Sequence, residues 1–362
     1  MNKDVIKKRI KAIRRELNKK KIKCLIVTKP ANVTYTTGFL GDDSWAAITK
    51  GNVYLLTDSR YTEQAQGECP YCTIIERSNS MSELVAKLVK KLKSVRTVTV
   101  EKSTSLADFE ALKKHVKARF RSVADVIETV RSSKDNTEIK TIEAAASIAA
   151  QALKQTLRYI KPGVTENELA GMLDFKIRKL GATNSFETIV AFGPNASRPH
   201  HQPSRKKLKQ KDTVLIDFGA KYKGYCSDIT RCFAVGGPTT FYKKVYEVVE
   251  QAQAAAIKMI KAGVKINRVD AAAREVIDNS DLPVYGHGTG HGLGLEIHES
   301  PFLKVESKGT LKTGQVITIE PGIYIPGRLG VRIEDDVLVT NTGSRILTRK
   351  CPHSPLLLSR KG

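Results

Sequence analysis

The chain has 362 residues, 41% hydrophobic and 27% charged, which is enough for two domains, or one large one, with a full core. That composition excludes a mainly disordered, collagen-like or mucin-like chain. Lysine and arginine total 61 against 37 aspartates and glutamates, and the net charge of +24 raises nucleic acid or an anionic membrane as partners.

The surplus is not concentrated. Residues 1–130 carry 26 basic and 14 acidic residues and residues 131–362 carry 35 and 23, so each part holds +12. An even spread reads as a generally basic surface, so no specific nucleic-acid partner is expected. No run of 18 apolar residues exists, so no transmembrane helix is expected. No apolar signal segment follows the basic N-terminus, and six cysteines are too few for a disulfide scaffold, which points to a reducing cytoplasm. Cys69-Pro-Tyr-Cys72 has no second ligand pair at zinc-finger distance and reads as two incidental thiols.

In chain order, Ile6, Ile10, Ile13 and Leu17 form one helical stripe with Lys and Arg opposite. Residues 24–28 read as a buried strand stopped by Lys29-Pro30. Residues 46–48 and 53–56 read as a hairpin around Lys50-Gly51-Asn52. Helices are predicted over 81–93 and 106–116, with a strand at 97–100 between them. This alternation predicts a small α/β domain over 1–130. The polar stretch 131–136 reads as a linker, with a helix start at Thr137. Long helices follow at 139–160 and 166–180, strands at 188–192, 213–218 and 229–235, and helices at 241–261 and 266–279. The remainder to about 348 reads as strand and glycine-rich turn.

The second part places carboxylates where apolar strands normally exclude them. Asp217 lies in Val-Leu-Ile-Asp-Phe, Glu320 in Ile-Thr-Ile-Glu-Pro-Gly, and Glu334 in Val-Arg-Ile-Glu-Asp-Asp. A buried carboxylate is costly unless it is paired or binds a metal, and several together need a cation. Asp217 and Asp228 are eleven residues apart, Glu320 and Glu334 fourteen, and each interval contains turn glycines. Antiparallel strand pairs would then bring each pair to one face. Four carboxylates with histidine exceed the needs of one structural zinc and match two divalent ions bridged by carboxylate and water. Five of the seven histidines fall between 200 and 298. The glycine run around His287 lacks the Lys-Ser/Thr ending of a P-loop and reads as backbone passing close to the site.

The string Gly286-His-Gly-Thr-Gly-His-Gly-Leu-Gly-Leu-Glu-Ile-His-Glu299 resembles the signature of the pita-bread metallopeptidases. So do Ile216-Asp-Phe-Gly219, Ser227-Asp-Ile-Thr-Arg231, Ile319-Glu-Pro-Gly-Ile-Tyr324 and Val331-Arg-Ile-Glu-Asp335. The proline-specific branch, aminopeptidase P and Xaa-Pro dipeptidase (prolidase), is the most similar. Asn32-Val-Thr-Tyr-Thr-Thr-Gly-Phe39 and Leu56-Thr-Asp-Ser-Arg-Tyr61 resemble its creatinase-type N-terminal domain. The resemblance implies an α/β (α+β) fold: a creatinase-like domain over 1–130, a linker over 131–136, and a pseudo-twofold pita-bread catalytic domain over 137–362.

It further implies that Asp217, Asp228, His291, Glu320 and Glu334 hold two divalent metal ions, Mn²⁺ first, with Co²⁺, Zn²⁺ or Fe²⁺ as alternatives. Asp228 and Glu334 would bridge the ions, and Glu320 would also shuttle the proton. His298 would contact the substrate carbonyl, His287 would be a second pocket histidine, and Arg332 would support the network. His200 is implied as a third active-site histidine, with adjacent His201 the alternative register. The implied activity is hydrolysis of the Xaa-Pro bond at peptide N-termini by a homodimer. An aminopeptidase is favoured over a dipeptidase, and an inactive binding protein of this fold is the remaining alternative.

Overall fold

A computed structural model describes residues 3–353 and 356–357. The chain divides into two compact units, 1–131 and 132–362.

The first unit contains α1 (Lys3–Lys19), β1 (Cys24–Val27), α2 (Pro30–Thr37), β2 (Trp45–Thr49), β3 (Val53–Thr57), α3 (Thr62–Glu68), β4 (Thr73–Glu76), α4 (Met81–Lys91), β5 (Thr97–Glu101), α5 (Leu106–His115), β6 (Arg119–Val123) and α6 (Val126–Arg131). Its six-stranded sheet has the order β4-β3-β2-β1-β5-β6. The predicted hairpin forms, with β2 and β3 antiparallel and Ala47 opposite Tyr54. The outer strands pair in parallel, β4 with β3 and β6 with β5. Ile6, Ile10, Ile13 and Leu17 are buried, as their spacing requires. Asn32, at the start of the Asn-Val-Thr-Tyr run, is a buried hub. Its Nδ2 donates to Glu101 and Glu128, and its Oδ1 accepts from Arg131.

The stretch 131–136 is built into the structure rather than loose. Arg131 ends α6, and Lys134 is buried with its Nζ 3.2 Å from Glu299 Oε2. Asp135, not Thr137, caps the next helix. Its carboxylate accepts from the backbone of Thr137 and Glu138, while Glu138 reaches back to the Asp135 N–H.

The second unit opens with α7 (Asn136–Thr156) and α8 (Glu166–Lys179). Strands β7 (Thr183–Asn184), β8 (Ile189–Phe192), β9 (Thr213–Phe218), β10 (Ala220–Tyr222), β11 (Tyr225–Cys226) and β12 (Ile229–Val235) follow. A second helix pair comes next, α9 (Thr240–Met259) and α10 (Ile266–Asp278). The chain continues with β13 (Gly290–Gly292), β14 (Glu299–Leu303), β15 (Val316–Ile319), β16 (Gly322–Ile325), β17 (Leu329–Arg332), β18 (Asp335–Val339), β19 (Ser344–Ile346) and β20 (Leu356–Leu357).

The two halves repeat each other in backbone detail. Gly163 and Gly263 both take left-handed φ, +97° and +88°, in the turn between paired helices. Their N–H groups donate to Leu208 and Leu311. Val164 and Val264 then accept from those same two residues. Each helix pair covers its own sheet, one with order β20-β12-β9-β8 and one with β14-β13-β15-β18-β19. Two apolar cores result, one led by Leu173, Ile216 and Phe233, the other by Val249, Ile317 and Val337. Burying each such side chain contributes roughly 1.5–3 kcal/mol.

Candidate metal centre and active-site cleft

In β9 and β12, Asp217 lies opposite Thr230. Asp228 precedes Thr230 by two, so the strand period puts Asp217, Asp228 and Thr230 on one face. The other half does the same with β15 and β18, where Ile319 lies opposite Asp335. Glu320 leaves the end of β15 and Glu334 enters β18. His291 comes from β13, between β14 and β15. The glycines beside it are required by space. A Cβ on Gly290 would stand 1.9 Å from the Thr318 carbonyl oxygen, and one on Gly292 would stand 2.5 Å from that of Ser300.

Asp217, Asp228, His291, Glu320 and Glu334 all line one cleft of about 520 Å³. Ligand atoms of Asp228, His291 and Glu334 lie within 4.8 Å of one another. His291 Nε2 is 3.6 Å from Asp228 Oδ2 and 3.4 Å from Glu320 Oε1. Its Nδ1 lies 3.0 Å from the Gly292 carbonyl, which can only accept, so Nδ1 carries the proton. Burial holds the ring's pKa down and keeps it neutral. Nε2 therefore points a bare lone pair at carboxylate oxygens, an arrangement that calls for a cation between them.

The carboxylates make the same demand. Burial first, then neighbouring carboxylates, push Asp228 and Glu334 well above the usual carboxylate range. Burial also raises Glu320. Asp217 Oδ2 accepts from Arg332 Nη2 at 2.6 Å, but its Oδ1 is buried without a partner. An orphaned oxygen, a bare imidazole nitrogen and crowded carboxylates fit two divalent ions with oxygen-rich coordination.

The remaining candidates stand around this floor. The His298 ring is 4.4 Å from that of His291 and is exposed at the mouth. His287 Nδ1 donates to the Gly288 carbonyl at 2.8 Å, so its Nε2 accepts from Tyr324 Oη at 3.0 Å. Tyr324 in turn accepts from Arg332 Nη1. Arg332 is fully committed, donating also to Thr230 Oγ1, the Pro199 carbonyl and Asp217.

His200 and His201 both line the cleft but differ in bonding. His200 is exposed, whereas His201 is buried with Nε2 2.9 Å from Glu166 Oε2. Glu166 is fully buried and also accepts from Phe192 N, Asn195 Nδ2 and both N and Oγ of Ser204. Burial alone would raise its pKa, but hydrogen bonds led by that of His201 hold it below the ordinary value. Glu166→Ala should therefore cost about 3 kcal/mol or more by leaving several buried donors unpaired. A lowered urea midpoint at constant m-value checks this.

Sequence reasoning gave no role to several residues that shape the site. Thr230 donates to Glu334 Oε2 at 2.6 Å and accepts from Arg332. Tyr324 links Arg332 to His287. Asp270 accepts from Thr289 N and Oγ1, while Arg274 pairs with Asp270 and donates to the Tyr285 and His287 carbonyls. Thr230 and Tyr324 stand inside the quoted motifs, which was the available signal. Asp270 and Arg274 lie on α10 as an ordinary i, i+4 pair and carried none.

Two family models match the chain: the creatinase/prolidase N-terminal domain over residues 9–133 and metallopeptidase family M24 over residues 140–341. The Bacillus subtilis peptidase YqhT is 42% identical over 91% of this chain and 94% of its own length. The solved Xaa-Pro dipeptidase from Bacillus anthracis superposes with a TM-score of 0.93 at 38% identity, covering 98% of this chain and 100% of that one. The X-Pro aminopeptidase from Thermotoga maritima gives 0.88 at 35% identity, covering 95% and 99%. The α/β first unit and the internally repeated second unit are thus a creatinase-type domain and a pita-bread domain, and the chain belongs to metallopeptidase family M24.

Proposed function

We propose that the chain is a dinuclear metallo-exopeptidase that hydrolyses the Xaa-Pro bond at the N-terminus of short peptides. The observation that carries this reading is the convergence of Asp217, Asp228, His291, Glu320 and Glu334 on the floor of one cleft. When bound there, two divalent ions, Mn²⁺ foremost for this donor set, supply Lewis-acid polarisation and water activation. Glu320 accepts the proton of the attacking water and passes it to the proline nitrogen, which leaves as an amine. His298 stands at the mouth to donate to the developing oxyanion. The exposed His200 is a second donor there. His287 is oriented by Tyr324, and Arg332 holds Asp217.

In this reading residues 1–130 form the N-terminal domain, 131–136 the junction and 137–362 the catalytic domain. The enzyme works as a cytoplasmic homodimer. The six free thiols support a reducing compartment, and no described helix is long and apolar enough to cross a membrane.

Lys304 favours the dipeptide over longer peptides. Phe302 lies opposite His291, and Lys304, two residues on, continues the same strand face into the cleft. With Arg332 committed, Lys304 is the lysine or arginine of the lining that remains available, its Nζ meeting only the exposed Glu306. A dipeptide places its carboxylate one residue beyond the scissile bond, within reach of such a side chain.

The test compares Xaa-Pro, Xaa-Pro-amide and Xaa-Pro-Yaa with Mn²⁺. Lys304→Ala should raise KM for the dipeptide by about tenfold, the loss of one charge-assisted hydrogen bond, and leave the amide unchanged. Equal effects on both would remove Lys304 from substrate reading. Absence of turnover on all three would overturn the Xaa-Pro assignment.

A further inference from the structure

The first unit holds a second cavity with a different chemistry. A groove of about 700 Å³ runs beside α1, the β2–β3 turn and the start of β4. Its floor is apolar, with buried Ile10 and the half-buried ring of Tyr71. Its wall is one face of α1. Lys7, Lys11 and Arg14 follow a four-then-three spacing that sets them in one row, with Arg15 alongside. From Lys7 to Arg15 the helix rises about 12 Å.

No aspartate or glutamate lines the groove. Among the described residues, none of these four cations is in an ion pair. Three other cations of this unit do have carboxylate partners: Lys19 pairs with Glu16, and Arg60 and Arg77 share Asp43 and Asp58. Arg14 is the informative case. It is half-buried, its Nε donates only to the Thr49 carbonyl at 3.0 Å, and burial pushes its pKa down with no carboxylate opposing the shift. A desolvated guanidinium in a concave, acid-free site lacks its counter-charge.

We propose that this groove binds a nucleoside polyphosphate, with its phosphates along Lys7, Lys11, Arg14 and Arg15 and its base against Tyr71 and Ile10. The volume lies within the range of small-ligand sites. An inorganic anion would leave the apolar floor unused, and aromatic stacking accepts a base. A row of cations about 12 Å long matches a few phosphates rather than a polymer track.

The test is calorimetric titration of the full-length, metal-loaded enzyme with ATP, tripolyphosphate and adenosine, with excess Mg²⁺. ATP should bind with Kd of roughly 10–100 µM at low salt and weaken steeply as salt rises. Tripolyphosphate should bind about fivefold more weakly, and adenosine should not register. Lys7→Glu/Lys11→Glu changes two exposed side chains and should weaken ATP by roughly a hundredfold with Xaa-Pro hydrolysis unchanged. Arg15→Glu, also exposed, should act in the same direction.

Equal ATP affinity in wild type and variants would overturn the proposal, because the nucleotide would then be held elsewhere. Tripolyphosphate binding as tightly as ATP, a single-stranded oligonucleotide binding more tightly than ATP, or no ATP binding at all would each overturn it too. None of these outcomes bears on the peptidase reading, which the hydrolysis assay tests separately.

Discussion

Glu320→Gln should lower kcat for Xaa-Pro hydrolysis by about a thousandfold or more while leaving the fold intact. Glu320 is fixed by its backbone N–H, which donates to the Thr289 carbonyl at 2.8 Å. Its Oε1 lies 3.4 Å from His291 Nε2 and accepts from Thr318 Oγ1 at 3.3 Å. The group is thus held at the floor of the cleft and not on a mobile arm. Glutamine keeps the shape and the Thr318 contact but cannot take up a proton at neutral pH. General acid–base catalysis contributes about 10²–10⁴, and lost coordination adds to that. Steady-state kinetics with parallel metal analysis checks the result. A variant that keeps its ions and turns over within tenfold of wild type would exclude the shuttle role. Loss of both ions together with activity would assign Glu320 to coordination alone.

The legible parts of this fold were those in which local pattern and final environment agree. The α1 stripe, the hairpin around Lys50 and the strands 213–218 and 229–235 all bury the residues their periodicity marks. The elements given no assignment lack such a pattern. β4 and β6 are sheet-edge strands whose residues are exposed or only partly buried, so Thr73–Glu76 and Arg119–Val123 show no clean alternation of burial. α2, with sequence Pro-Ala-Asn-Val-Thr-Tyr-Thr-Thr, buries Asn32, Thr36 and Thr37 as well as Val33 and Tyr35. Its polar residues look like surface until Glu101 and Arg131 arrive from the far end of the unit. The helix starts at 81, 106, 166 and 266 match the structure, and one was misplaced, that of α7. Asp135 outranks Thr137 because its carboxylate can reach two N–H groups at once.

The site divides along the same line. Its carboxylates were conspicuous because apolar strands surround them. The groups that orient them were not, because the contacts cross about a hundred residues: Thr230 to Glu334, Arg332 to Asp217, Arg231 to Asp335. Each of these joins the first repeat to the second. The internal duplication thus places one carboxylate pair in each half, and the proposed metal centre lies where the two halves meet. Thr230 is suited to that junction because its hydroxyl accepts from Arg332 while donating to Glu334.

Metal binding should stabilise the second unit by a large margin, and Asp228→Asn should remove most of that gain without weakening the metal-free protein. In the absence of cations, Asp217, Asp228, Glu320 and Glu334 crowd one buried floor, and the folded state bears their repulsion or the cost of protonating them. Ions present at about a thousand times Kd would contribute about 4 kcal/mol, which for a unit of this size corresponds to roughly 10 °C in Tm. Asparagine at 228 removes one of the crowded charges. It retains the backbone N–H that donates to Asp336 Oδ2 at 3.2 Å, so the local chain path has no reason to change. The chelator-treated variant should therefore melt at or above the chelator-treated wild type. On adding Mn²⁺, wild type should move up sharply and the variant only slightly. Differential scanning calorimetry of both proteins, with and without Mn²⁺, reads this directly and needs no turnover. A variant that is less stable than wild type without metal, yet shows the full Mn²⁺ shift, would mean that Asp228 is a structural carboxylate satisfied by its neighbours and not a ligand.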